Sequence, residues 1–206
     1  MRGLGGRQLA VVDQAASVLL QYPDREVLER LPLVRRAVDE LPSHPARERL
    51  LQFLDHVDRE GPIALATRYV DTFDFRRRSC LYLTYYADGD TRRRGVALAK
   101  LKRRYLQAGL RMEPGELPDF LPALLEFTAT SGDREVLSEH RPALELLRLS
   151  LEESGSPYAR VLEALCATLP GPSPRDLEAV RALAASGPPR EEVGLEPYPT
   201  PGALGR

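Results

Sequence analysis

The spacing of apolar residues constrains this chain more than any other feature. They recur at intervals of three and four along most of its 206 residues, and no stretch alternates β-branched side chains between hairpin turns. That is the period of a helix, so the expected fold is all-α. Segment 7–21 places Leu9, Val12, Ala16, Leu19 and Leu20 on one face and stops near Tyr22-Pro23, because Pro disfavours helix in the residue before it. A second stretch, 24–41, is expected to kink or divide at Pro32. Ser43 is placed to cap a third helix, whose stripe of Leu50, Leu51, Leu54 and Val57 ends at Gly61. Pro62 suits the start of a fourth, with Ile63, Ala66, Val70 and Phe73 predicted to face inward and Tyr69 at the edge.

Beyond a short aromatic segment at 81–86, Thr91 is a candidate N-cap for a helix reaching Ala108, with Gly109 supplying a left-handed residue and Ala97, Leu98, Leu101 and Tyr105 the inner stripe. Asp119 can cap a helix through Phe120, Leu121, Leu124, Leu125 and Phe127, since Pro122 falls harmlessly in its first turn. Further helices are predicted near 133–140, 141–153, 157–168 and 176–185. From Ser186 on, five prolines and four glycines in 21 residues leave little to pack. The expectation is a single-domain helical bundle over 1–185, its core supplied by the 43% of apolar residues, with a disordered Pro-rich tail at 186–206.

Chemistry-bearing motifs are sparse. Cys80 and Cys166 stand far apart, and His44, His56 and His140 are not spaced as paired metal ligands and read as surface residues. Phosphate loops, dinucleotide fingerprints, nucleophile elbows and zinc-helix motifs do not occur. The sequence therefore points away from an enzyme, although a hydrolase site assembled from distant segments stays open. Asp13 interrupts the first apolar run and no cleavage site follows, so neither export nor membrane insertion is expected, and the chain reads as soluble and cytoplasmic. Ten Lys and Arg between Arg76 and Arg104 face only Asp88 and Asp90 in a chain of net charge −1. An Arg-rich nucleic-acid-binding regulator is the alternative this suggests, but the near-neutral whole favours a solvated helix face balanced by acidic neighbours.

Tyr69, Phe73, Phe75, Tyr82, Tyr85 and Tyr86 crowd eighteen residues of a chain that is only 6% aromatic. Such a cluster serves core packing, or a groove that receives an amphipathic peptide. Helical phase adds one expectation. Asp74 and Arg94 both fall on faces predicted to be inward, so they are expected to meet as a buried or half-buried ion pair, the alternative being that both sit at helix ends in water, Asp74 past its helix and Arg94 in a first turn.

Several of these residues stand in a recognisable order: Leu19-Leu20-x-Tyr22-Pro23, Tyr69 with Phe73-Asp74, Ser79-x-Leu81-x-Leu83, Gly89-Asp90-Thr91-Arg92-x-Arg94-Gly95, and Tyr105 with Gly109-Leu110. Glu116-Leu117-Pro118-Asp119-x-Leu121-Pro122-x-x-Leu125-Glu126-Phe127 completes the series. Over about 69–127 the chain resembles the TorD-like redox-enzyme chaperones, and within them the NarJ-type assembly chaperones of respiratory nitrate reductase. The resemblance implies an all-helical cytoplasmic chaperone that binds the N-terminal peptide of the catalytic (alpha) subunit and keeps that subunit competent for molybdenum-cofactor insertion before membrane attachment. It further implies that the chaperone has no cofactor of its own, the bis-molybdopterin guanine dinucleotide belonging to the client. Candidate peptide-binding residues are Tyr69, Phe73, Asp74, Leu81, Tyr82, Tyr85, Arg94, Tyr105, Leu117, Asp119, Phe120 and Leu121. Phe120 stands where the family often has His, so no role of that His is carried over.

Overall fold

The helical period becomes eleven α-helices in a computed structural model that describes residues 3–75, 77–113 and 115–186. They are α1 (Gly6–Leu19), α2 (Arg25–Asp39), α3 (Pro45–Arg59), α4 (Pro62–Phe73), α5 (Leu83–Asp88), α6 (Arg92–Gln107), α7 (Leu121–Ser131), α8 (Glu135–Glu139), α9 (Arg141–Glu153), α10 (Ala159–Cys166) and α11 (Pro174–Ser186), with a 3₁₀ turn at Arg77–Ser79. Among the described residues the only β pairing is one isolated antiparallel bridge, Tyr82 with Phe120. The stretch expected to be a disordered tail lies outside the described residues from 187 onward.

Small residues make α1 the central strut. Ala15, Ala16 and Ser17 let α7 approach closely, and Ser17 Oγ donates to the Pro122 carbonyl at 2.8 Å. α1 also touches α2, α3 and α10, while α10 packs on α3 and α9, and α11 covers α9. Asp13, inside α1 and fully buried, accepts two bonds from Arg134 (2.8 and 3.0 Å) and one from Thr128 Oγ1 (3.0 Å). Arg134 goes on to Thr168, at 3.2 Å to the carbonyl and 2.6 Å to Oγ1. One guanidinium thus fastens α1, the start of α8 and the chain just after α10. Burial raises the Asp13 pKa against the opposing pull of Arg134.

Several local expectations are corrected. α2 runs unbroken through Pro32, which lies on the exposed face, so the carbonyl that loses its partner is close to solvent. His44, not Ser43, caps α3: its Nδ1 accepts from the Ala46 amide at 3.1 Å and the residue is buried. His56 and His140 are half-buried rather than surface groups, the first against Glu60 and the second against the Val136 carbonyl, each at 2.8 Å. α4 is rotated by about 100° from its predicted phase. Ile63 is 85% exposed, and the inner face is Leu65, Tyr69, Thr72 and Phe73. Tyr69 decides this phase, because its ring packs with those of Phe73 (4.8 Å), Tyr22 (5.5 Å) and Tyr158 (5.9 Å), burying more area than Ile63 can in a first turn.

Candidate functional site

Two segments far apart in sequence are stitched together by backbone. The Leu83 amide donates to the Asp119 carbonyl (3.0 Å) and the Leu121 amide to the Leu81 carbonyl (2.8 Å), which makes the Tyr82–Phe120 bridge. Leu81 and Leu121 point into the core, at 4% and 0% exposure, so strand alternation turns Tyr82 and Phe120 the other way. Their rings pack on each other with centroids 5.3 Å apart, and both residues are half-buried.

Asp119 does not cap α7, where Phe120 takes the N-cap position. Its carboxylate serves α5 instead: Oδ2 accepts from Thr84 Oγ1 at 2.5 Å and from the Thr84 amide at 3.3 Å. Gly89, at φ +56°, then turns the chain from α5 towards α6 with a backbone that disfavours any residue bearing a Cβ. That turn brings Arg94 to the bridge. Its guanidinium carbon lies 5.6 Å from the Tyr82 ring centre, Nη2 lies 3.6 Å from Asp119 Oδ2, and Nη1 is 3.3 Å from Asp90 Oδ1. Arg94 Nε and Asp119 Oδ1 are buried and have no hydrogen-bond partner among the described residues. Burial, and after it the negative charge of Asp119, pushes the Tyr82 hydroxyl pKa up, keeping it a neutral donor.

The expected Asp74–Arg94 pair is therefore replaced by Asp119–Arg94, with Asp90 as a second, exposed partner. Asp74 ends α4 and is exposed, because that helix stops at Phe73 rather than continuing inward. Thr84 is a site residue that the sequence reading missed, since a buried hydroxyl inside a six-residue helix leaves no periodic signal.

The structure sorts the twelve candidates. Leu81, Tyr82, Arg94, Asp119, Phe120 and Leu121 meet at the bridge, and Tyr105 joins its underside, with its hydroxyl 3.4 Å from the Pro118 carbonyl and its ring 4.4 Å from that of Phe127. Tyr69 and Phe73 belong to a separate buried ring cluster with Phe53 and Tyr158, and the Tyr69 hydroxyl donates to the Leu20 carbonyl at 3.2 Å. Only Asp74, Tyr82, Tyr85, Arg94, Leu117 and Phe120 among the twelve reach the surface appreciably. Part of the local positive charge is neutralised in space: Arg104 binds Asp133 (2.5 Å) and Glu139 (2.7 Å), and Lys100 lies 3.5 Å from Glu139. No three His, Cys, Asp or Glu among the described residues are grouped to hold a metal, and no helix there is long and apolar enough to cross a membrane.

The described residues thus form an all-α bundle that carries a small aromatic and polar surface site. The same fold occurs in the crystal structure of a candidate redox enzyme maturation protein from Archaeoglobus fulgidus, which covers 80% of this chain and 93% of its own at a TM-score of 0.57 and 21% identity. Residues 39–164 match the family model described as nitrate reductase delta subunit, and the chain belongs to that family. A probable nitrate reductase molybdenum cofactor assembly chaperone, NarJ, of Bacillus subtilis is 38% identical over 158 residues, 75% of this chain and 86% of that protein. The nitrate reductase-like protein NarX of Mycobacterium tuberculosis is 41% identical over 164 residues, 77% of this chain. There the chain spans only 24% of the relative's length.

Proposed function

We propose that this protein is a cytoplasmic, non-catalytic assembly chaperone of respiratory nitrate reductase. It binds the N-terminal peptide of the catalytic (alpha) subunit at the Tyr82–Phe120 bridge and holds that subunit open for insertion of its molybdenum cofactor before membrane attachment. The observation that carries this reading, beside the family, is the bridge itself. Two half-exposed rings, a cation and a sealed carboxylate sit on a backbone pairing that fixes their geometry. An amphipathic helix docks by laying apolar anchors on such rings, and rings held in place lose little rotamer freedom on binding. Tyr82, Tyr85, Phe120 and Leu117 supply the apolar contacts, and Arg94 and Asp74 the polar rim. The buried members, Tyr69, Phe73, Leu81, Tyr105, Asp119 and Leu121, shape the site from beneath. The cofactor belongs to the client, and no bond is made or broken by the chaperone. Molybdenum content provides the test. Catalytic subunit purified from cells lacking this chain is expected to carry a small fraction of the molybdenum found when the chain is restored, and equal loading in both would overturn the proposal.

A further inference from the structure

Between Asp90 and Glu113 the chain carries eight Lys and Arg and no acidic residue. The fold neutralises them selectively. Arg94, Lys100 and Arg104 are paired with acidic groups from the preceding turn, the Asp119 loop and the segment around α8. Lys102, Arg103 and Arg111, all exposed, form no ion pair among the described residues. Two of these three flank a concavity of about 190 Å³ between α6 and the chain that follows it, lined by Lys102, Tyr105, Leu106, Leu110, Arg111 and Met112. Its floor is apolar: Leu110 and Met112 pack partly against the core, Tyr105 is buried, and Leu106 stays 55% exposed. Among the described residues α6 packs mainly on α5, and the lining of this flank comes only from α6 and the chain that follows it.

We propose that this groove docks an acidic segment of a partner protein, which inserts one large aliphatic or aromatic side chain between Leu106 and Met112 and sets carboxylates against Lys102 and Arg111. The hollow, about 190 Å³ and open to solvent, has room for one such side chain. Charge complementarity selects the segment. Cations with no ion-pair partner on the rim of an apolar hollow favour a flanking carboxylate on each side, the Glu116 charge lying near the Tyr105 floor, and a basic segment meets Lys102 and Arg111 as like charges. A nucleic-acid backbone needs cations but no apolar floor, and a lipid surface is flat where this site is concave. The groove is separate from the peptide bridge, for of its lining only Tyr105 is shared, and that residue turns its hydroxyl to the Pro118 carbonyl.

The test uses the full chain and three fluorescent twelve-residue probes: a Glu-rich peptide with one central Leu, the same peptide with Ala for Leu, and one with Lys for every Glu. Anisotropy is expected to show saturable binding of the Leu probe, about tenfold weaker binding of the Ala probe, and none of the Lys probe. Combined Lys102→Glu and Arg111→Glu changes are expected to weaken the Leu probe about tenfold or more, with an unchanged thermal melt and unchanged binding of the nitrate reductase N-terminal peptide. Equal binding of the Leu and Ala probes would overturn the proposal in favour of simple charge attraction. No binding of the Leu probe, insensitivity to the double variant, or binding only of anionic vesicles or duplex DNA would overturn it as well. Loss of N-terminal peptide binding in the wild-type chain instead counts against the bridge and leaves the groove intact.

Discussion

Removing Arg94 tests the polar half of the bridge. Arg94→Ala deletes an exposed i,i+4 contact to Asp90, worth about 0.3–0.5 kcal/mol, and a cation over the Tyr82 ring, worth about 0.5–1 kcal/mol. It also leaves the Asp119 carboxylate, at 0% exposure, facing no cation. Stripping a buried pair of one partner costs about 3–5 kcal/mol when the two are in tight contact. Here the separation is 3.6 Å and the Arg94 side chain keeps 19% exposure, so about 1–2 kcal/mol is the appropriate share. The sum is roughly 2–3 kcal/mol, a fall of about 5–10 °C in Tm for a chain of this length. Asp119→Ala is expected to cost about 3 kcal/mol, because it also strands the buried Thr84 hydroxyl and the Thr84 amide at the start of α5. The double variant is expected to lose about 1–2 kcal/mol less than the two single losses added. Denaturant melts of the four proteins measure this coupling. Additivity within about 0.5 kcal/mol would show that the carboxylate and guanidinium do not interact and would refute the reasoning. The parallel cycle on Asp74 and Arg94 is expected to be additive.

Arg134→Ala is expected to be the more damaging change, about 3–5 kcal/mol, because it leaves Asp13 buried without its cation and unties Thr168 from α1. Denaturant melts check it, and a loss under about 1 kcal/mol would contradict the clasp. Acid should expose a second contribution. Hydrogen bonding from Arg68 holds the Glu60 carboxyl below its usual 4.5, with His56 acting in the same direction, so Glu60 binds a proton less readily folded than unfolded. Its stabilisation is therefore present above the unfolded value and disappears as pH falls through the folded one. Melts of wild type and Glu60→Gln from pH 7 to pH 3 are expected to converge on acidification, and a constant gap would contradict this sign.

The helical period was enough to locate nearly every element, since apolar residues at three and four leave little else for Leu9–Leu20 or Leu50–Val57 to form. Pro62, Gly109 and Pro122 marked boundaries correctly because each acts locally, through a missing amide or a positive φ. What escaped was long-range. Tyr69 set the phase of α4 through rings on Tyr22 and Tyr158, contributed by segments 47 and 89 residues away, and no window along the helix contains them. Asp119 looked like an N-cap because it precedes a helix, yet its oxygen serves α5, across 35 residues of chain. The bridge motif was readable as residue types in order, but only folding separates Tyr82 and Phe120, which reach the surface, from Tyr69 and Phe73, which do not.

Calorimetric titration of the catalytic subunit's N-terminal peptide into the full chain most directly tests the central claim, that the bridge receives this peptide. Saturable binding is expected for wild type, and truncating one ring, by Tyr82→Ala or Phe120→Ala, is expected to weaken it about tenfold or more, the loss of an aromatic anchor. Leu33→Ala, remote on α2 and 61% exposed, is expected to bind like wild type. No heat with wild type over a range of temperatures, or equal binding by wild type and both ring variants, would contradict the account.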